Sequence, residues 1–275
     1  MKVLWIADFS VKDHKGGAQQ TNAEMIKAGR KRGHTIKLST GGAKVDSKGR
    51  YDVVILNNIA KYEKSEIEQL VDSYPCIRYD HDHWVARNYP ELFKKVKHTI
   101  FLSQFHKDTV EDYTKYKIKN YSLVPSPIDS KKFSPRENKE RNSVLWAGNF
   151  CEAKGSKGFL EYVKNNPNFK FYVAGWGADI PLLENIDNVE YVGELDTDEL
   201  IEYYQKCEYF YHRPVWHEPF GRTVLEAYFC GCNLLLNGNI GAMSWDWDYS
   251  NYDEIKKNVQ SEDKFWNIIE NEIQT

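Results

Sequence analysis

The sequence predicts an α/β protein made of two domains, each built on a parallel, doubly wound β-sheet. Short apolar segments of strand length alternate with helix-length segments along most of the chain, an order typical of such sheets. The alternation stops at the polar stretch 131–142, which we interpret as a linker. The predicted domains are therefore 1–130 and 143–275, and the last helix is a candidate to pack back on the first domain. A chain of 275 residues is long enough for both.

The first domain contains six predicted strands and the helices between them. The opening strand is apolar, and the sixth strand is short and ends at Pro125. In chain order, the strands are predicted at Val3–Ala7, Thr35–Ser39, Tyr51–Leu56, Pro75–Asp80, Thr99–Ser103 and Tyr121–Val124. The helices are predicted from Gly16 to about Arg32, over Ser65–Asp72 with Ser65 as a candidate cap, and from about Gln104 to Tyr113.

The second domain repeats the alternation. Its strands are predicted at Val144–Ala147, Phe169–Ala174, Val189–Val192, Tyr209–Tyr211 and Asn233–Leu236. One helix is predicted over Ser156–Asn165, and another is capped by Asp196 or Thr197 and runs to about Lys206. A third begins near Thr223 within an apolar stretch, and the amphipathic segment Glu262–Ile273 is the last helix.

Composition excludes several classes of protein. A net charge of −3 argues against a strongly basic nucleic-acid or membrane protein. The longest apolar runs have the length of strands, and the first residues are too short an apolar stretch for a signal peptide. The five cysteines lack a paired framework and a second Cys/His pair with zinc spacing, which favours buried thiols in a reducing compartment. We therefore expect a cytoplasmic protein.

The most informative segment places two glutamates eight positions apart, Glu218 and Glu226, with Pro-Phe-Gly directly after the first. Gly221 indicates a loop that turns into a helix, so Glu218 is predicted in the loop and Glu226 within the helix. Backbone N–H groups of Phe220, Gly221 and Arg222 at a helix start would favour an anion. Two carboxylates that flank such a start can hold the hydroxyls of a sugar nucleotide, while the backbone amides hold its diphosphate. The alternative is an ordinary helix with a surface glutamate at each end.

The string from Glu218 to Ala227 resembles the E-x7-E signature of retaining nucleotide-sugar glycosyltransferases with the GT-B fold, especially glycosyltransferase family four (group 1). The resemblance covers Val3 to about Met243, and the chain would be a short member. It implies two Rossmann-like domains facing a cleft. It also implies transfer of a hexose from a UDP or GDP sugar with retention of configuration, without a metal or other cofactor.

A second match lies at Trp146–Gly155, which resembles the family string G-R-l-x-x-x-K-G. Lys154 falls on the family lysine, which implies a point charge for the donor diphosphate. The family arginine is replaced by Asn149, and Lys157 or Arg222 are candidates to compensate.

Two matches lie in the first domain. Phe9–Gly17 resembles the first glycine loop of the family, in which Gly16 and Gly17 would let the backbone approach a phosphate. Tyr79–Trp84 resembles the His-Asp segment that contacts the donor sugar; His81 matches best and His83 is the rival. A metal site at this H-x-H pattern is a further alternative.

Further segments resemble the family at strand ends and at the crossing between the domains. They are Ile100–Asp108, Val124–Phe133, Val173–Gly177 and Tyr191–Leu195. Gly231-Cys232-Asn233 lacks the proline usual in the family.

The resemblance implies catalytic roles for His81, Lys154 and Glu218, with Glu226 accepting hydrogen bonds from the ribose. Alternatives from other classes are a nucleotide-sugar-binding protein that has lost turnover and, more weakly, phosphorylase-like or epimerase chemistry on the same fold. The acceptor is open: a glycan, a lipid-linked sugar, a small molecule or a modified nucleobase. The Lys/Tyr-rich stretch Lys107–Lys119 would permit peripheral contact with an acidic membrane or nucleic acid, or is a solvated face. No obligate protein partner is indicated.

Overall fold

The computed structural model of the protein describes residues 1–14, 16–45 and 49–274. It divides into two compact units. The first comprises Met1–Pro127 together with Lys257–Thr275, and the second comprises Ile128–Lys256. Residues 131–142 belong to the second unit, and the segment that carries the last helix belongs to the first.

Each unit contains one parallel β-sheet. The strands are β1 (Lys2–Ile6), β2 (Thr35–Ser39), β3 (Val53–Leu56), β4 (Cys76–Arg78), β5 (His98–Phe101), β6 (Tyr121–Leu123), β7 (Glu140–Ala147), β8 (Lys170–Ala174), β9 (Val189–Gly193), β10 (Cys207–His212) and β11 (Asn233–Leu236). The first sheet has the order β2-β1-β3-β4-β5-β6 and the second β11-β10-β7-β8-β9. The interior strands β3 and β4 are wholly buried, as expected for parallel strands covered on both faces.

Helices connect the strands of both sheets. They are α1 (Gly17–Lys31), α2 (Lys64–Ser73), α3 (Trp84–Asn88), α4 (Leu92–Lys95), α5 (Gln104–Thr114), α6 (Ser156–Asn165), α7 (Thr197–Lys206), α8 (Arg222–Phe229), α9 (Tyr252–Asn258) and α10 (Glu262–Gln274). The predicted fold class, two parallel α/β sheets, is confirmed.

The helix starts show where local signals succeed and fail. Asp196 caps α7 with a complete capping box: its carboxylate accepts the N–H of Glu199 at 3.0 Å, and Glu199 accepts the N–H of Asp196 at 2.8 Å. The prediction of Ser65 as the cap of α2 is wrong. The helix begins at Lys64, because the carbonyl of Glu63 accepts the first helical hydrogen bonds, at 3.0 and 3.2 Å.

The last helix packs on the first. The indole of Trp266 in α10 is fully buried and donates to the carbonyl of Met25 in α1 at 2.8 Å. Gly29 leaves room for this ring, since a Cβ there would lie 2.2 Å from a Trp266 ring carbon. At the rim, Arg32 pairs with Glu270 and Asp263, each at 2.8 Å. The packing of α10 on α1 therefore requires a glycine at position 29.

Two glycine loops at the carboxyl edge of the second sheet interlock. The N–H of Gly148 donates to Ala174 at 2.9 Å, and that of Phe150 donates to Trp176 at 2.6 Å. Gly175 has a φ of 131°, and a Cβ there would lie 2.1 Å from the carbonyl oxygen of Gly148. The loop that follows β7 is thereby held against the loop that follows β8.

We expect Gly29→Ala to destabilise the first unit, although alanine in a helix normally gains about 1 kcal/mol over glycine. The added methyl collides with Trp266 and Ile36, and overpacking of this kind costs roughly 1–3 kcal/mol. Urea unfolding followed by circular dichroism measures the change. Lys27→Ala, at an exposed position of the same helix, is the control. A Gly29→Ala protein as stable as the wild type would contradict this packing argument.

Candidate active site

Lys154 is placed by a short turn after β7. A 3₁₀ turn ends at Lys154, and Gly155 follows with a φ of 93°. A Cβ on Gly155 would lie 2.2 Å from the carbonyl oxygen of Arg213, so only glycine allows this approach. The carbonyl of Ala153 accepts the N–H of Trp216 at 3.0 Å. The turn that carries Lys154 is therefore fastened to the loop that follows β10.

Glu218 lies in that second loop, and its backbone is fixed on both sides. Its N–H donates to Asn239 and its carbonyl accepts the N–H of Gly241, both at 2.9 Å. These bonds form an isolated parallel bridge to Ile240. Because β7 and β10 are neighbours in the sheet, Lys154 and Glu218 follow adjacent strands at the carboxyl edge, where α/β sheets bind ligands.

The Lys154 ammonium donates a hydrogen bond to Glu218 Oε2. The indole N–H of Trp216 donates to the same oxygen at 3.3 Å, and the Lys154 Nζ lies 5.2 Å from the Trp216 ring centre. The two charged side chains are 26% and 15% exposed. Burial raises the pKa of Glu218, but Lys154 and the other donors outweigh it, so that the pKa lies below its usual value. Glu218 is thus ionised at neutral pH.

A buried histidine lies behind the pair. His212 ends β10, and its Nε2 is 3.9 Å from Glu218 Oε2, too far for a hydrogen bond. Burial lowers the pKa of His212 to about 4, because the imidazolium would lose its hydration; Glu218 opposes this shift and Lys154 adds to it. His212 is therefore neutral at pH 7.

The start of α8 stands beside the pair. Gly221 precedes the helix with a φ of 88°, and Phe220 is buried with its carbonyl accepting the N–H of Ala242 at 2.7 Å. Arg222 is the first helical residue. The sequence prediction of a loop that turns into a helix at Gly221 matches these bounds.

Glu226 lies one turn into α8, with a side chain only 7% exposed. Its Oε1 is 3.5 Å from Nε of Arg222, four residues earlier, and its Oε2 accepts the Tyr204 hydroxyl at 3.4 Å. Burial raises the pKa of Tyr204 well above its usual range, and the charge of Glu226 adds to the rise. With the side chain of Glu218 15% exposed as well, neither glutamate is a surface residue of an ordinary helix.

The other candidates near Lys154 occupy different environments. Lys157 is 69% exposed and pairs with Glu152 at 2.7 Å, outside the Lys154–Glu218 contact. The Oδ1 of Asn149, at the position of the family arginine, is buried and accepts no hydrogen bond from the described residues. It lies near Gly177, in the loop after β8.

The glycine loop of the first unit leads into α1. Gly16 is the N-cap, with extended backbone (φ −75°, ψ 164°), and Gly17 is the first helical residue. Residue 15 of the predicted loop lies outside the described residues. Asp8, at the end of β1, accepts the N–H of Lys61 at 2.8 Å, and burial raises its pKa.

His81 and His83 follow β4 and differ in burial. The N–H of His81 donates to Asn58 at 3.0 Å, its ring packs edge-on against Tyr79, and the residue is partly exposed. His83 is 1% exposed, with its ring 5.1 Å from that of His106. In residues 1–14, 16–45 and 49–274, no group of three or more His, Cys, Asp or Glu side chains is arranged to hold a metal ion.

Sequence reasoning missed two features. One is Trp216, whose contacts join residues distant in sequence. The other is Arg78, the last residue of β4, which is fully buried beside Asp80 with its guanidinium 4.4 Å from the Phe93 ring centre. Burial lowers the pKa of Arg78 to about 9. A charged residue inside the apolar strand segment was the available signal for this pair.

Comparison with known proteins bears on the second unit first. Residues 127–244 match the family model for glycosyl transferases group 1. The match contains Lys154, Glu218, Gly221 and Glu226. A comparison with curated protein sequences finds no significant match.

Several solved structures resemble most of the chain. HepE of Anabaena, in complex with UDP and glucose, is 13% identical, with a TM-score of 0.70 over 94% of this chain and 89% of that one. Sucrose-phosphate synthase of Thermosynechococcus elongatus is 14% identical, with a TM-score of 0.73 over the same shares, 94% and 89%. An alpha-glucosyltransferase in complex with UDP and a mismatched 13-mer DNA is 13% identical, with a TM-score of 0.60 over 99% and 93%.

At these identities the structural likeness establishes the fold alone, and it confirms the prediction of the GT-B class. The family match and the fold together support a glycosyltransferase. Among the described helices, none combines the length and the apolar character needed to cross a membrane.

His212 makes the second unit sensitive to acid. The unfolded chain protonates this imidazole below about pH 6.5, whereas the folded protein keeps it neutral down to about pH 4. Its stabilising contribution is therefore complete above the first value and is lost as the pH falls toward the second. Most of this window lies above the pH range in which Glu218 binds a proton, because the pKa of Glu218 is lowered.

From pH 7 to pH 5, we expect the free energy of unfolding to fall by about 2 kcal/mol more in the wild type than in His212→Gln, because glutamine binds no proton. Urea unfolding at both pH values measures this difference, with circular dichroism at pH 7 as the check that the variant is folded. Parallel losses of stability in the two proteins would contradict the buried, neutral histidine.

Proposed function

We propose that the protein transfers a hexose from a nucleotide-diphosphate sugar to an acceptor hydroxyl with retention of configuration. The observation that carries the proposal is the Lys154–Glu218 pair at the carboxyl edge of the second sheet, within the segment that matches the family. A uridine nucleotide is the favoured donor, because structures of HepE contain UDP and glucose or UDP-glucose.

The second unit would bind the donor through charge and hydroxyl contacts. The Lys154 ammonium would bind the diphosphate, together with backbone N–H groups at Phe220, Gly221 and Arg222. Glu218 would bind sugar hydroxyls, and Glu226 would accept hydrogen bonds from the ribose. Because the Glu226 carboxylate already contacts Arg222 and Tyr204, its orientation is fixed before a nucleotide arrives.

For the first unit, we assign donor contacts to Gly16, Gly17 and His81 on the strength of the family motifs. His81 is partly exposed and His83 is buried, which favours His81 over His83 as the residue that contacts the donor.

In the transfer step the bond between the anomeric carbon and the diphosphate breaks, and its electron pair stays with the phosphate oxygen. The acceptor oxygen bonds to the anomeric carbon on the same face, and its proton passes to the oxygen of the leaving diphosphate. Charge that develops on the leaving diphosphate is stabilised by Lys154 and the start of α8, a preorganised electrostatic contribution. The same positive groups motivate the proposal that neither a divalent metal nor another cofactor is needed.

The proposal leaves the acceptor as any hydroxyl-bearing glycan, lipid-linked sugar, small molecule or modified nucleobase. It places the reaction in the cytoplasm, because all five cysteines are free and four of them are buried, which fits a reducing compartment. We expect peripheral contact with a membrane only if the acceptor is a lipid-linked sugar.

A donor panel followed by product analysis tests the function. UDP, GDP, ADP and their sugars are compared by thermal shift, and a ligand at 100 times its dissociation constant should stabilise the protein by about 2.7 kcal/mol. The stabilising sugar is then turned over in EDTA, and the first product is examined by proton NMR. We expect an alpha-linked product from an alpha-linked donor. A beta-linked product, or activity that needs added magnesium or manganese, would contradict retention or metal independence.

Binding of a nucleotide sugar without turnover or slow donor hydrolysis would favour the alternative, a nucleotide-sugar-binding protein without activity. The specific observation behind this alternative is Asn149, which brings no positive charge to the position of the family arginine.

We expect Lys154→Ala to lower kcat roughly a hundredfold, since the ammonium acts most strongly on the charge that develops as the diphosphate leaves. Steady-state kinetics with the donor identified above measures the effect, and thermal unfolding confirms that the variant is folded. Lys157→Ala is the matched control and should keep wild-type kinetics, because Lys157 is exposed and pairs with Glu152. A severe defect in Lys157→Ala together with a mild one in Lys154→Ala would show that the role belongs to Lys157 and not to Lys154.

A further inference from the structure

Trp216 contacts both members of the Lys154–Glu218 pair through different parts of one indole ring. Its N–H donates to Glu218 Oε2 at 3.3 Å, and its ring centre lies 5.2 Å from the Lys154 Nζ. Ring contacts with a cation are attractive within about 6 Å. Trp216 is thus hydrogen bonded to the anion and in a cation–π contact with the cation.

The backbone of Trp216 is anchored to the same two segments. Its N–H, and that of Val215, donate to Ala153, the residue before Lys154, both at 3.0 Å. Trp216 is also only two residues before Glu218, whose backbone is fixed at Asn239 and Gly241. The backbone that carries the indole is therefore fixed to both of the loops that carry the pair.

The contacts converge on one carboxylate oxygen. The Lys154 ammonium and the Trp216 N–H both donate to Oε2 of Glu218. Within the part of the chain that the structure describes, Oε1 accepts no hydrogen bond. The indole N–H thus restrains one oxygen of the carboxylate and leaves the second oxygen available to a ligand hydroxyl.

Lysine is a flexible chain with a mobile point charge, and it would follow any stronger anion. An incoming diphosphate would compete with Glu218 for the ammonium. The ring of Trp216 gives Lys154 a contact that does not depend on Glu218, and the indole N–H gives Glu218 a donor that does not depend on Lys154. Each partner therefore keeps one neighbour when the pair separates.

We propose that Trp216 is a positioning residue, which holds Glu218 and Lys154 in place while the ammonium passes from the carboxylate to the donor diphosphate. The role in turnover rests on the proposed function, whereas the contacts with the pair exist in the ligand-free protein.

The experiment compares Trp216→Phe, which keeps a ring but removes the N–H, with Trp216→Leu, which removes both contacts. Trp247→Phe, a partly buried tryptophan of the same unit outside the pair, is the matched control. The first readout is a carbon-13 NMR titration of the Glu218 side chain in ligand-free protein labelled on glutamate, with the signal assigned by its loss in Glu218→Gln. The second readout is kcat and KM for the donor.

In Trp216→Phe we expect the titration midpoint of Glu218 to rise by about half a pH unit or more, because a hydrogen bond to the charged form is lost. We expect kcat to fall about tenfold, the equivalent of one hydrogen bond to a charged group, with a smaller change in KM. Trp216→Leu should lower kcat further. Trp247→Phe should leave both readouts unchanged.

An unchanged Glu218 titration in folded Trp216→Phe overturns the inference, even if the wild type is an active transferase. A shifted titration with unchanged kcat overturns the positioning role. If the wild type binds and turns over no nucleotide sugar, the proposed function fails while the titration still decides the ligand-free contact. Trp216→Phe retains a ring in the same space, so the decision does not depend on the folding of Trp216→Leu.

Discussion

The ionised contact between Lys154 and Glu218 is the interaction on which the site of the second unit depends. A carboxylate that is only 15% exposed needs a compensating charge and donors to stay ionised. Lys154 supplies the charge, and both Lys154 and Trp216 donate a hydrogen bond to the same carboxylate oxygen, Oε2. Since Lys154 follows β7 and Glu218 follows β10, one contact also joins the loops of two adjacent strands. The same contact therefore determines both the charge balance of the site and the arrangement of the two loops.

Close approach between the backbones of neighbouring loops makes the contact between Lys154 and Glu218 possible. Gly155 and Gly175 both have positive φ, and a Cβ on either would overlap a carbonyl oxygen of a neighbouring loop at 2.2 and 2.1 Å. Gly221 has positive φ as well and starts α8 directly after the Glu218 loop. Side chains at the first two positions would separate the loops after β7, β8 and β10. The glycines of the family strings thus act on the site through backbone geometry.

The sequence was sufficient for features whose cause is local. Alternating apolar segments predicted both parallel sheets, and the spacing of Glu218, Gly221 and Glu226 predicted a loop that becomes a helix. It was insufficient where the cause lies far along the chain. Nothing near Gly29 indicates that Trp266 packs on it, and nothing near Trp216 indicates the ammonium of Lys154. The cap of α2 moved from Ser65 to Glu63, because backbone hydrogen bonding outweighed a weak side-chain preference.

The two glutamates of the signature differ because the helix begins between them. Glu218 precedes Gly221 and pairs with a lysine from another loop, whereas Glu226 is the fourth residue after Arg222 and faces it on the same helix face. Each carboxylate therefore has its own cation, and the two pairs are close to neutral together. Positive potential for an anion then comes first from the start of α8, where the macrodipole is uncompensated by any acidic residue of the first turn. The side chains of Lys154 and Glu218 are 26% and 15% exposed, whereas those of Arg222 and Glu226 are each 7% exposed. The Lys154–Glu218 pair is therefore the one suited to separate when an anion binds.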